Sequence, residues 1–314
     1  MRPRLVWPWA RVGFDVKPGN GHSPILTFTR PPKRVVSLVP SMTGSLYDLG
    51  AGDVLAGITD YCLPPAESGP VVRVGGTKSP RVEDILRLEP ELVLANQEEN
   101  TAATVEALEA AGLKVWVTFP RSVENALSVL WTLVRLFHLH SAAPKVKTME
   151  ITLEWTARAS AMRSPARVFC PIWKGEGQGE NVWWMTFNSE TYAHDVLRVC
   201  GGTNVFASRS RRYPLRADLG EGTADEAGSQ DLRYPRVPAS EIRQADPEVI
   251  LLPSEPFAFD ETDRVQIRQE LSTTSAVIHD RVHLIDGSIV TWHGTRLARA
   301  LVELPPLLEA MPTE

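Results

Sequence analysis

Two stretches far apart in the chain repeat one order of features: RVEDILRLEPELVLA at 81–95 and ASEIRQADPEVILLP at 239–253. In each, a helical pattern runs into an acidic residue and a proline, and an unbroken apolar run follows. Proline ends a helix because it lacks an N–H and crowds the preceding turn. An apolar run without alternation suits a strand covered on both faces. Helix, stop and buried strand, used twice, confine the chain to parallel βαβ packing. Two further pairs keep the same order: SLYDLGAGDVLAGIT with AHDVLRVCGGTNVFA, and KVWVTFP with RVHLIDG. The pattern predicts two related α/β halves.

Reading along the chain places a β-rich lead-in over 1–33, with the strand ILTFT closed by Pro31-Pro32. A strand at 35–39 enters a helix from Thr43 to Leu49, and a second strand lies near 54–58. Val82, Ile85, Leu86 and Leu88 fall at helical spacing up to Pro90. The strand ELVLA follows, NQEEN caps the next helix, and KVWVTFP is a strand again. From Val123 to Met162 strand signals vanish and only Pro144 interrupts the helical register. An uninterrupted helix from Lys145 to Met162 would span about 27 Å and reads as a strut. The predicted division is 1–33 lead-in, 34–141 first α/β lobe, 142–163 connecting helix and 164–314 second α/β lobe.

The net charge of -5 and the absence of a Lys/Arg stripe exclude nucleic acid as a natural partner. No apolar run reaches the roughly 18 residues of a membrane span. The first residues, MRPRLVWPWARVGFDVKPGNG, interrupt any apolar core with prolines and Arg11, so they do not read as a secretory signal. Three cysteines, Cys62, Cys170 and Cys200, have no CxxC spacing and do not suggest a metal knuckle. Asp60, Cys62 and His194 would be the components of a nucleophilic set, but no GxSxG elbow, HExxH helix or paired carboxylates accompany them. Catalysis is not expected.

RVVSLVPSMTGSLYDLGAGDVLAGITDYC, GGTKSPRVEDILRLEPELVLA and YAHDVLRVCGG resemble the cobalamin- and ferric-siderophore-type substrate-binding proteins of ABC importers, the cobalamin-binding group above all. The resemblance covers roughly residues 30–310. It implies an α/β fold of two Rossmann-like lobes joined by a single long backbone helix, with a ligand cleft between the lobes. A helix crossing between lobes also implies little hinge closure. The implied function is non-catalytic binding of a cobalamin, another corrinoid or another metal chelate, as the substrate-binding component of an ABC-type importer. No cofactor is required, and haem or a ferric siderophore are the alternative ligands. Members are periplasmic or at the cell surface. Without a recognised signal, a cytoplasmic tetrapyrrole carrier or sensor remains the alternative.

Ligands of such folds bind at the carboxyl ends of strands. In the first lobe those ends carry Pro40, Ser41, Thr43, Tyr61, Gly76, Thr77, Asn96, Gln97 and Glu98. The hydroxyls of Ser41 and Thr43 suit a ligand contact and an ordinary helix cap equally. In the second lobe the candidates are Pro171, Trp173, Trp183, Trp184, Tyr192, Tyr234, Glu255, Trp292 and His293. Of nine tryptophans, Trp116, Trp131 and Trp155 read as core, whereas Trp173, Trp183, Trp184 and Trp292 sit on glycine-flanked loops, where flat faces suit a planar ring. No direct metal site is expected, with His194 or His293 as the candidate axial ligand to a bound metal chelate. The polar segment from Arg209 to Asp231 reads as a loosely packed surface excursion, its RRYP echoed by LRYP at 232–235. In importer-coupled relatives a glutamate on each lobe meets permease arginines. The matching positions here are Ala102 and Ser240, with Glu98, Glu99 and Glu241 close by. A monomer is expected.

Overall fold

The computed structural model describes residues 14–16, 26–176 and 182–310. The remainder of the lead-in and most of the glycine-rich KGEGQGEN segment lie outside these described residues. The chain divides into two compact units, Met1–Pro120 with Ala126–Lys147, and Arg121–Asn125 with Thr148–Glu314.

The first unit runs β1 (Phe14–Val16), β2 (Leu26–Phe28), β3 (Val35–Ser37), α1 (Pro40–Asp48), β4 (Leu55–Ile58), β5 (Val72–Arg73), α2 (Val82–Arg87), β6 (Leu92–Asn96), α3 (Ala102–Ala110) and β7 (Val115–Thr118). β1 and β2 form a separate antiparallel pair. The other strands make one parallel sheet in the order β5-β4-β3-β6-β7. Val36, Leu38, Val93, Ala95, Val115 and Val117 cover one face against Ile85 and Leu108 of the helices. Gly57 lies where a Cβ would come 2.6 Å from Leu88, so the strand approaches that leucine only because it has no side chain there.

Two helices follow, α4 (Val123–Leu136) and α5 (Ala143–Ala161). The break between them precedes Pro144. His138 turns into the left-handed region at φ 54, and Pro144 occupies the first turn of α5, the one place where a missing N–H costs a helix nothing. The division between the units falls inside α5, after Lys147.

The second unit continues with β8 (Ala166–Phe169), β9 (Trp173–Glu176), β10 (Val182–Met185), α6 (Tyr192–Val199), β11 (Gly202–Asn204), α7 (Leu215–Asp218), β12 (Arg236–Pro238), α8 (Ala239–Ala245), β13 (Val249–Pro253), α9 (Glu261–Glu270), α10 (Ser275–Ile278), β14 (Val282–Ile285), α11 (Ser288–Thr291) and α12 (Leu297–Glu303). A parallel sheet has the order β11-β8-β13-β14, and an antiparallel one the order β12-β10-β9. Phe169, Trp184, Phe206, Val237, Ile250 and Leu252 share one core with Ile242, Ile267 and Leu271.

The repeat seen in the sequence is wired identically in both units. Glu89 and Asp246, each before its proline, adopt left-handed backbone at φ 43 and φ 40. The next glutamate folds back in each case: Glu91 accepts from the Arg34 N–H at 3.3 Å, and Glu248 from the Arg167 N–H at 2.8 Å. The Arg34 side chain donates to the Leu88 carbonyl and the Arg167 side chain to the Ala245 carbonyl. Each arginine thus closes the end of the helix whose proline stop starts the neighbouring strand, satisfying a carbonyl the helix leaves unpaired.

The Arg209–Asp231 segment is a surface excursion, yet it is tied to a buried charge. Asp218 is fully buried; its carboxylate accepts from Arg209 Nη1 at 3.0 Å, from Arg236 Nε at 2.9 Å and from the backbone N–H groups of Arg212 and Arg236 at 2.9 Å each. Loose packing is therefore confined to the exposed stretch at 220–226 and its neighbours. The two echoed tyrosines each lie under an arginine, Tyr213 4.7 Å from Arg211 and Tyr234 5.2 Å from Arg233.

Candidate functional site

In the first unit the carboxyl ends of β3, β4, β5 and β6 gather the predicted residues along one sheet edge. Pro40 is the first residue of α1, whose cap residue Val39 has no side-chain oxygen. Ser41 and Thr43 are buried, and Thr43 Oγ1 donates to the Val39 carbonyl at 3.1 Å while lying 3.1 Å from Cys62 Sγ. Thr43 therefore braces the start of its own helix and is turned away from solvent. Tyr61, by contrast, is 65% exposed, and its ring lies 3.7 Å from where a Cβ on Gly76 would sit. Arg73 holds this loop in place, one guanidinium nitrogen donating to the Thr59 and Cys62 carbonyls at 2.7 and 2.8 Å.

NQEEN does not cap α3; Thr101 does, accepting from the Thr104 N–H at 3.2 Å. The motif instead closes on itself. Asn100 Oδ1 accepts from the Asn96 N–H, and Asn96 Oδ1 from the Glu98 N–H, both at 2.8 Å. Asn100 Nδ2 then donates to the carbonyls of Leu38 at 3.2 Å and Thr77 at 2.9 Å. One buried amide thereby links the ends of β3 and β6 and the turn after β5. Asn100 is the positioning residue of this edge, and nothing in its local sequence shows such long-range bonds. Gln97 is exposed beside it, and Glu98 and Glu99 are half-buried.

In the second unit the four tryptophans divide by environment. Trp173 and Trp183 belong to paired strands, not loops. Trp183 packs flat over Gly175, where a Cβ would come 2.3 Å from its ring, and its indole N–H is buried without an acceptor among the described residues. Trp184 points to the opposite face and is core, 2% exposed. Trp173 is 46% exposed and stands edge-on to Phe257 at 5.6 Å, which leans on Phe259 at 4.7 Å. Lys174 pairs with Asp263 and lies 5.6 Å above the Phe257 ring. Trp292 caps the end of α11 and is half-buried. Of those read as core, Trp116 is buried, Trp131 is half-buried, and Trp155 is 71% exposed.

Glu255 follows β13 and is half-buried, with Thr291 Oγ1 donating to it at 3.3 Å. Burial pushes its carboxyl up to about 7; Asp286 adds to the rise, and Thr291 and Arg296 oppose it. Because the folded value lies above the unfolded one, the protonated form stabilises the fold. That stability is full below the ordinary glutamate value and is lost as pH rises towards 7. Between pH 5 and 8, thermal stability is expected to fall in the wild type by on the order of 1–2 kcal/mol more than in Glu255→Gln, allowing for partial exposure. Parallel melting curves of the two proteins would refute this.

Tyr192 and His293 are buried together, their rings edge-on at 6.2 Å. Burial lowers His293 to about 4 and raises the Tyr192 phenol, so both are neutral. His194 is half-buried and lowered, chiefly by burial. Pro171 is buried behind β8. Cys62, Cys170 and Cys200 are buried free thiols, all pushed up by burial, Cys200 to about 12. Among the described residues no group of three His, Cys, Asp or Glu side chains is placed to hold a metal ion. Ala102 and Ser240 are exposed, and Glu241 is held by Arg209 at 2.8 Å. Among the described residues no helix is long and apolar enough to cross a membrane.

A family described as periplasmic binding protein matches residues 35–288. The vitamin B12-binding protein of Photorhabdus laumondii is 28% identical over 185 residues, 58% of this chain and 64% of the relative. That of Vibrio vulnificus is 26% identical over 184 residues, 59% of this chain and 65% of the relative. The match thus spans just under two thirds of these relatives' length. The fold is similar to periplasmic vitamin B12 binding protein BtuF of Vibrio cholerae, with TM-score 0.67, 20% identity and coverage of 88% of this chain and 96% of that one. It is similar as well to periplasmic heme-binding protein RhuT from Roseiflexus, with TM-score 0.66, 17% identity and coverage of 88% and 97%.

Proposed function

Because this chain belongs to the periplasmic binding protein family, we propose that it binds a cobalamin or another corrinoid reversibly, as the substrate-binding component of an ABC-type importer acting outside the cytoplasmic membrane. The observation that carries this reading is the platform at the strand ends of the second unit. A half-exposed Trp173 is backed by Phe257 and Phe259, and nearby strand ends carry Glu255, whose carboxyl is held half-protonated near neutrality. Such a surface offers a corrin an apolar face, and a carboxyl that still carries a proton can donate to peripheral amide oxygens. On the first unit, Tyr61, Gly76, Thr77 and Gln97 supply a partly exposed rim of hydroxyl, backbone and amide groups. The vitamin B12-binding relatives support the ligand class. No reaction is assigned to the chain: its thiols are buried and raised, the reverse of what a nucleophile needs.

A haem reading rests on His194, whose Nδ1 is buried without a hydrogen-bond partner among the described residues. Titration calorimetry with cobalamin, haemin and a ferric siderophore separates the two. Cobalamin is expected to bind at micromolar concentration or tighter. Trp173→Ala should weaken it by on the order of 1–3 kcal/mol. Haemin binding that His194→Ala abolishes would favour the second reading, and failure of all three ligands below about a millimolar would overturn both. Docking on a permease falls to Glu98 and Glu99 in the first unit. In the second, Glu241 is already engaged with Arg209, so any docking role there passes through that pair.

A further inference from the structure

Helix α5 is sided along its second half. Met149 is buried and Leu153, Thr156 and Ser160 are half-buried. The opposite stripe, Ile151, Trp155, Arg158 and Met162, faces outwards at helical spacing. Ile151 is 45% exposed, Trp155 71% and Met162 87%, a run of large apolar side chains on one exposed helix face. Trp155 also borders a groove of about 420 Å³ whose lining includes Val302 of α12. Val302 is itself 66% exposed.

We propose that this face is a homodimer interface, occupied by the same face of a second copy of this chain in antiparallel register. This goes beyond ligand binding and departs from the expected monomer. Self-complementarity of the stripe selects the occupant. A two-fold axis between Thr156 and Ala157 sets Ile151 opposite Met162 of the second copy, apolar on apolar. It sets Trp155 opposite the second copy's Arg158, the arrangement in which a guanidinium stacks on an indole face. Glu154 and Arg158, a single exposed pair at 3.9 Å within one chain, fall within one residue of each other's counterparts across the axis. Each chain then offers one acid and one base to the other on the same flank, as the edge positions of antiparallel helix pairs do. A foreign partner would have to reproduce this order by chance, whereas a second copy carries it by symmetry.

Sedimentation equilibrium of the full chain, without ligand, tests the proposal. The wild type is expected to pass from monomer to dimer as concentration rises through the micromolar range. Trp155→Glu, an exposed substitution that leaves the melting temperature unchanged, should raise the dissociation constant at least about tenfold. Glu154→Arg and Arg158→Glu should each weaken self-association, because each homodimer then opposes like charges. Mixed one to one, the two variants should recover a heterodimer, since one chain then presents two bases to the two acids of the other. A wild type that stays monomeric at every concentration, or variants that fail to recover on mixing, would overturn it. Neither outcome bears on cobalamin affinity, which is read separately.

Discussion

Replacing Asp218 by Ala is expected to cost the second unit about 3–5 kcal/mol, the usual penalty for removing one member of a buried ion pair. The carboxylate is fully buried and compensates two arginines, Arg209 and Arg236, with side chains only 12% and 9% exposed. It also accepts two backbone N–H groups. Without it, two guanidinium groups remain in a poorly hydrated site, Arg209 facing Glu241, and Arg236 facing the Arg212 carbonyl and the Tyr213 ring. Urea unfolding followed by circular dichroism measures the loss. Asp218→Asn, which keeps acceptor capacity but not charge, should fall between. A loss under about 1 kcal/mol would show that both arginines reach water once released.

Trp184→Ala is expected to cost a similar amount, about 3–5 kcal/mol, through the cavity left by a large core side chain. The indole packs among Phe169, Phe206, Val237 and Ile242, where the antiparallel strands meet the parallel sheet. Its two neighbours give the contrast. Trp173→Ala, on an exposed platform, should cost little stability and act on ligand affinity. Trp183→Ala should release the close packing over Gly175 at an intermediate cost. If Trp184→Ala folded with near-native stability but lost ligand, this tryptophan would belong to the platform and not to the core.

The two-unit α/β organisation was legible because its signals are local. A proline after an acidic residue stops a helix wherever it occurs, and an apolar run after it has to be covered. The arginines that complete the repeat, Arg34 and Arg167, were not legible, since each acts on a carbonyl far along the chain. Trp173, Trp183 and Trp184 read as loop residues because the glycines between them masked a strand pair, and only the pairing of β9 with β10 separates an inward from an outward tryptophan. Pro144 read as a helix break because a proline is equally at home in a first turn. Trp155 read as core because helical spacing places a residue on a face without saying what covers that face. Of the candidate site, the sequence reading named residues at strand ends, and the structure places them at or beside those ends. That reading did not distinguish Tyr61 and Trp173, which are exposed there, from Thr43 and Trp184, which are spent on packing.

The chain's three thiols are all buried and all resist ionisation. To an electrophilic probe the native surface is therefore blank, because the thiolate is the reacting species. A cysteine introduced at an exposed position, such as Ala102 in the first unit or Ser240 in the second, would be the one site taking up a maleimide dye at neutral pH. A chain carrying one dye on each unit becomes a molecular ruler without any prior removal of native cysteines. Energy transfer between the dyes, read with and without ligand, would report directly how far one unit moves against the other.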